Sequence, residues 1–286
     1  MSKWNITCLT TVGLLWIGAI CTTSVAQSTG GAHTEKLMNS VNHLADYQVI
    51  EFRRYTIKAG EREHFIQYFE AFFPEAIEQL GALVLGQFAE REDASHFLWL
   101  RGFHSTYDRP VVNSAFYFGP LWREHRTTLN DLMVDSDNVL LLRPLHADRG
   151  PLVLPVVDPV SEAAGATGIV VTQIFPIKKQ TDEHYVSKVD EILASYRAPG
   201  VREAGILITL EVPNNFPQLP VRTDGPYLIW IGVVKDDATL TKTLSPLMQR
   251  GADSLKSQEI LTGAPEIIVS NPTHRSRLRW LSSWNQ

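Results

Sequence analysis

The stretch Glu63-His64-Phe65-Ile66-Gln67-Tyr68-Phe69-Glu70-Ala71-Phe72-Phe73 returns 120 positions later as Glu183-His184-Tyr185-Val186-Ser187-Lys188-Val189-Asp190-Glu191-Ile192-Leu193. In the first copy Phe65, Phe69, Phe72 and Phe73 fall at i, i+4, i+7 and i+8, the buried stripe of an amphipathic helix. Tyr185, Val189, Ile192 and Leu193 repeat it. Gly81 and Gly200 stop the two helices, as left-handed C-terminal caps. A repeat of this length organises the rest of the chain.

Working outward, each helix is preceded by a short apolar run rich in β-branched and aromatic residues, Val49 to Ile57 and Ile169 to Ile177, which reads as a strand. Further strands are expected at Leu83 to Ala89 and Gly205 to Val212. Phe97-Leu98-Trp99-Leu100 matches Leu228-Ile229-Trp230-Ile231, and Val139 to Leu142 matches Ile267 to Ser270. Second helices are expected over 114–133 and 238–255, and each copy closes with Pro-x-His, at Pro144 to His146 and Pro272 to His274. Each copy thus reads β-α-β-β-α-β. The fold class is α+β: two tandem ferredoxin-like repeats forming an intramolecular pseudo-dimeric α/β barrel. A sheet with helices on one face must bury the other, and packing sheet against sheet places the expected ligand pocket between the sheets. Further homo-oligomerisation stays open.

The domain reading is 1–26 signal peptide, 27–46 flexible arm, 47–146 first repeat, 147–167 linker and 168–281 second, degenerate repeat. Lys3, the apolar run Leu9 to Cys21 and the small-x-small site Ser24-Val25-Ala26 form an export signal cut after Ala26. The run is too short for a membrane span of about 20 residues, and Ile20 stands where a lipid-anchor cysteine at Cys21 would need a small residue. The expected location is periplasmic or secreted, with no stable membrane insertion after cleavage. Both cysteines, Cys8 and Cys21, leave with the signal, so no disulfide, thiolate or cysteine metal site is expected. The formal net charge of -5 offers no basic face for nucleic acid.

Within the first repeat, Glu51-Phe52-Arg53-Arg54-Tyr55-Thr56-Ile57-Lys58-Ala59-Gly60 resembles the first-strand pattern of the NIPSNAP family. Trp99 followed by Ser105 and Arg109 is similar to that family's third strand and turn. Phe116 to Trp122, with His125, Arg126 and Asn130, resembles a subgroup of exported bacterial members. The resemblance implies a ferredoxin-like, dimeric α/β-barrel fold, and kinship with cofactor-free monooxygenases; it carries no agreed reaction. It also leaves haem open, because larger relatives of the superfamily use a histidine-ligated haem. The sequence singles out no such histidine, and no cofactor is predicted.

Side chains alternate across a strand, so Glu51, Arg53 and Tyr55 share a face, and Trp99, Arg101 and Phe103 share one on their strand. With Ile50, Phe52, Leu98 and Leu100 assigned to the helices, the polar set is expected to point between the sheets. In the second copy Glu51 becomes Val171, Arg53 becomes Gln173, Tyr55 becomes Phe175 and Arg101 becomes Gly232, while Trp99 stays as Trp230. The expected ligand-binding residues are therefore Glu51, Arg53, Tyr55, Trp99, Arg101, Phe103 and Trp230. Together they would hold a small hydrophobic or aromatic molecule, anionic or carbonyl-bearing, with the second copy as an apolar wall. An ion pair of Glu51 with Arg53 or Arg101 serving structure alone is the competing reading. His125 is the candidate acid or base; a polar place on the outer face of its helix is the alternative. His64 and His184 read as solvated helix flanks, His146 and His274 as capping or interface residues. No metal site is expected: no His-x-x-x-His occurs, and Asp135-Ser136-Asp137-Asn138 lacks the glycine and glutamate of a calcium loop and reads as a turn. Serine-hydrolase, dinucleotide and phosphate-loop motifs are missing. The aromatic stretch Phe116 to Trp122 also suits a second reading, a non-catalytic protein-interaction module of the envelope.

Overall fold

A computed structural model of the chain describes residues 42–43, 45–179 and 183–285; the signal segment, its cleavage site and most of the 27–46 arm lie outside the described residues. The first repeat runs β1 Val49–Ile57, α1 Arg62–Phe72, α2 Pro74–Gln79, β2 Leu83–Glu90, β3 His96–Phe103, α3 Asp108–Tyr117, α4 Pro120–Leu132 and β4 Met133–Pro144. The second runs β5 Ile169–Pro176, α5 Glu183–Ala194, β6 Val201–Thr209 and β7 Tyr227–Val234. A helical turn at Asp237–Thr239 then leads through a π turn, Leu240–Leu244, into α6, Ser245–Ser257, and on to β8, Glu266–Pro272. Gly81 and Gly200 adopt φ of +101° and +79°, the left-handed conformation that glycine takes without steric cost.

Eight antiparallel strands close on themselves in the order β8-β2-β3-β1-β4-β6-β7-β5, with β5 returning to β8. Within each repeat the last strand lies beside the first. It then pairs with the second strand of the other repeat: Arg143 faces Ile208 and Asn271 faces Ala89. Closure removes every sheet edge and gives the pseudo-dimeric barrel of two ferredoxin-like repeats. The chain after β8 returns to the first repeat's helices, where the buried Glu70 carboxylate accepts from Thr273 Oγ1 at 2.6 Å and from the Arg275 backbone N–H at 2.8 Å.

An eight-stranded barrel has an interior that side chains just fill. Ile50, Phe52, Leu98, Leu100, Leu140 and Leu142 meet Val170, Ile174, Leu207, Ile229, Ile231 and Ile268 there. The linker contributes too: Leu152–Val153 pairs with Asn42–His43 as a two-residue ladder, and Leu152 and Leu154 join the interior cluster. A linker without regular structure is thus corrected, because its leucines gain more from burial at the barrel's end than its prolines cost. The helix expected over 114–133 is two helices. A Cβ at Gly119 would stand 2.4 Å from the Ala115 carbonyl oxygen, and Pro120 starts the next helix. Asp135 to Asn138, expected as a turn, belong to β4, whose pairing with β1 shifts register there.

In the second repeat the Trp230 indole folds over Gly232, where a Cβ would lie 2.1 Å from its ring. Trp230 is fully buried and has nowhere to move. Gly232→Ala is expected to cost about 1–3 kcal/mol by overpacking, read as a lower urea midpoint; an unchanged midpoint would contradict this packing.

Candidate functional site

The expected set does share a face, but the face is the barrel's outer one. Tyr55, Trp99 and Phe103 pack with Phe65 and Phe69 of α1, Phe116 of α3 and Leu129 of α4. The expectation that Glu51, Arg53, Tyr55, Trp99, Arg101 and Phe103 point between the sheets is corrected: they lie beneath the helices. The aliphatic alternates take the narrow interior, where they interdigitate. The outer gap between sheet and helices is spanned by aromatic rings and by an ion cluster. Trp230 does not join this set. It stands on the second repeat's outer face, its ring 5.1 Å from that of Tyr196.

The cluster centres on Glu51. Its Oε2 accepts from Arg53 Nη1 at 2.7 Å and from Arg101 Nε at 2.8 Å, with Arg101 Nη2 also 2.7 Å away as an ion contact; Oε1 accepts from Arg109 Nε at 2.7 Å. All four side chains are between 0% and 1% exposed. Burial alone would raise the Glu51 pKa, but Arg101, Arg53 and Arg109 together hold it far below the usual carboxylate range. Glu51 is therefore ionised, and three buried cations face one anion. Arg101 Nη1 and Arg109 Nη2 have no hydrogen-bond partner, and neither has the fully buried side-chain amide of Asn113. Excess buried charge of this kind is costly unless something further compensates it.

Arg109 escaped the expected site list because its helix starts earlier than read. The signal was present: Arg109, Val112, Asn113 and Phe116 occupy the buried stripe of α3 at helical spacing, an unusual place for an arginine and an asparagine. Ser105 fixes the start of that helix, its hydroxyl donating to Asp108 at 2.6 Å. From the second repeat, the segment between β6 and β7 crosses over the cluster. Asn214 and Asn215 accept from Arg109 Nη1 at 3.0 and 2.7 Å, Asn215 donates to the Thr106 carbonyl, and Phe216 packs on Tyr117.

Beside the cluster lies a cavity of about 80 Å³ with Arg53, Tyr55 and Trp99 on the sheet side, Phe69, Phe73, Phe116, Tyr117 and Trp122 as aromatic walls, and Leu219 of the crossing segment at its edge. Its sheet side offers donors, while Tyr117, Asn130 and Ser136 add groups that can donate or accept. Arg53 uses Nε on Tyr55 at 2.8 Å and Nη1 on Glu51, which leaves Nη2 for a ligand. Trp99 Nε1 is buried without a partner. Burial pushes the Tyr55 hydroxyl above its ordinary range against the opposing pull of Arg53, so it keeps its proton. Because its oxygen accepts from Arg53, that proton is available to donate.

His125 is corrected as the candidate acid or base. It stacks on Phe72 at 3.9 Å, its Nδ1 lies 2.7 Å from the Tyr68 hydroxyl, and it is not among the cavity's lining residues. Packing between α1 and α4 claims it. Of the Phe116 to Trp122 stretch, Phe116 is buried, Tyr117 and Trp122 line the cavity, and Phe118 remains exposed. The lining does not fit haem: no histidine is among the residues around this cavity to serve as an axial ligand.

No family model matches the sequence, and no curated protein matches it. Among solved structures, a proposed monooxygenase from Fusobacterium nucleatum superposes with TM-score 0.52 at 10% identity, over 82% of this chain and 96% of its own. A proposed monooxygenase from Lactobacillus acidophilus does so with TM-score 0.50 at 14% identity, over 80% and 98%. A NIPSNAP domain protein from Burkholderia xenovorans covers 34% of this chain and 93% of its own, at 16% identity and TM-score 0.31. The first two likenesses establish the fold, that of the dimeric α/β-barrel proteins.

Glu51→Gln keeps the shape of the side chain and strands three buried guanidiniums. It is expected to cost about 3–5 kcal/mol at neutral pH. A depressed folded-state pKa stabilises above the unfolded value and is lost as pH falls toward the folded one. The stability gap between wild type and variant should therefore be constant well above the ordinary value of 4.5 and close progressively below it, as followed by urea unfolding across pH. A gap insensitive to pH would show that Glu51 is not the cluster's counter-charge.

Proposed function

We propose that this chain is an exported, NIPSNAP-like barrel protein that binds a small hydrophobic or aromatic molecule, through an anionic or carbonyl oxygen, in the first repeat's cavity. The carrying observation is the set of donors in the lining, Arg53, Tyr55 and Trp99, backed by a buried cluster with more cations than anions. Such a lining calls for an acceptor atom on the ligand, and negative charge there offsets the excess. The aromatic walls take the apolar body.

No carboxylate, histidine or lysine lines the cavity. The geometry therefore favours holding a ligand and stabilising negative charge on its oxygen over proton transfer. Were the protein a cofactor-independent enzyme, its contribution would be of that electrostatic kind. A ring-sized ligand needs more than the space present, so Leu219 of the crossing segment, at the cavity's edge, has to give way on binding. The two monooxygenase-like structures share this barrel, which suits a small-molecule role and leaves the reaction to experiment.

Of the four methionines, Met133 lines this cavity, so a ¹³C-methyl methionine spectrum reads it directly. Benzoate is expected to shift the Met133 signal saturably. Arg53→Leu should weaken binding by about 1.5–3 kcal/mol, the range for a hydrogen bond to a charged group. Trp99→Phe, which removes the indole N–H together with part of the ring system, should weaken it less and covers the case in which the arginine variant misfolds. A Met133 signal indifferent to benzoate, or equal affinity in both folded variants, would refute the proposal.

A further inference from the structure

A second cleft opens on the other repeat, at the position the internal symmetry makes equivalent. Gln173 faces Trp230 across its ladder as Arg53 faces Trp99, and Val171 faces Gly232 as Glu51 faces Arg101. The cleft holds about 560 Å³ between α6 and residues 261–265, with Gln173 at its floor and Met248, Ala252, Leu261, Pro265 and Ile267 among its walls. That volume lies inside the range of about 300–1,000 Å³ typical of small-molecule sites.

The walls are fixed in advance. The Thr262 backbone N–H donates to the Pro176 carbonyl at 2.9 Å, and Leu261 bridges Ile177. At the floor Gln173 is 1% exposed, and its Oε1 accepts from the Tyr196 hydroxyl at 2.8 Å. That bond sets the amide so that Nε2 is the group left to meet a ligand, as a neutral donor. The ion cluster of the first repeat has no counterpart here, since Val171 and Gly232 replace its carboxylate and one guanidinium. Asp253 and Lys256 at the rim are opposite in sign and exposed. A charged ligand group at this floor would lose hydration without recovering it. Ile267 stays 49% exposed on β8 within the lining, an apolar surface that a hydrophobic body would cover.

We infer that the second repeat binds a small uncharged hydrophobic molecule with one acceptor oxygen, of the alcohol, ketone or amide class, in this cleft. The inference does not rest on the reading of the first repeat.

Met248 lines this cleft as Met133 lines the other cavity, and the same methyl spectrum separates the two. Benzyl alcohol, the uncharged counterpart of benzoate, should shift Met248 saturably. Gln173→Leu should weaken that binding about tenfold, the equivalent of one net hydrogen bond. Ala252→Trp, which fills the cleft from its helix side, should abolish it. Neither variant should alter any response of Met133 to benzoate. A Met248 signal that does not saturate, or that saturates equally in folded Gln173→Leu and Ala252→Trp protein, overturns the inference. A Met248 response alongside a silent Met133 would leave it standing while the first-repeat proposal failed.

Discussion

One carboxylate, Glu51, holds three buried guanidiniums on the outer face of the first repeat's sheet, and the rest of the site depends on that clasp. Arg53 comes from the same strand, Arg101 from the neighbouring one and Arg109 from the helix above. The ion cluster therefore ties α3 to the sheet at a fixed height. It also orients Arg53 toward the cavity by occupying Nη1, while the Tyr55 hydroxyl occupies Nε. The cations outnumber the anion, so the region is poised for a negative or acceptor-bearing guest. The same arithmetic in a dry barrel interior would be far less tolerable; at the outer face, polar atoms of the crossing segment supply Arg109 with two further acceptors.

The closed barrel explains why the site is outside it. Two repeats each present an aliphatic face, and those side chains fill the interior that eight strands enclose. The two proposed sites lie in the gaps between sheet and helices, one in each repeat. In the first repeat that gap is lined by aromatics, Arg53 and Tyr55. In the second, the Trp230 indole lies over Gly232, where the first repeat carries Arg101. A residue change at one strand position thus removes a cation and repacks a tryptophan at once.

Much of this was legible from residues. The limits of β1, the repeat and the pairing of equivalent positions follow from periodicity and turn chemistry, whereas the expected glycine stops are corrected: α1 ends at Phe72, before Pro74, and α5 at Ala194, well before Gly200. The grouping of Glu51, Arg53 and Tyr55 with Trp99, Arg101 and Phe103 was legible too. Their direction was not, because alternation fixes which side chains go together and leaves open which side each set takes. Aliphatic against aromatic content was the available clue: Ile50, Phe52, Leu98 and Leu100 suit an interdigitated interior, whereas Tyr55 and Trp99 suit a helix-covered gap. Arg109 was hidden by a helix start that Ser105 sets earlier than hydrophobic pattern suggested. The roles of Asn214, Asn215 and Leu219 depend on a segment more than one hundred residues away in sequence reaching across the barrel, which no local pattern encodes.

We propose that the first repeat's ligand is met under the helices by Arg53 and not within the barrel. A crystal structure of the protein soaked with benzoate tests it most directly. A carboxylate is expected at hydrogen-bonding distance from Arg53 Nη2 and Trp99 Nε1, with Leu219 displaced. Benzoate found among Ile50, Leu100 and Ile229 inside the barrel would contradict it.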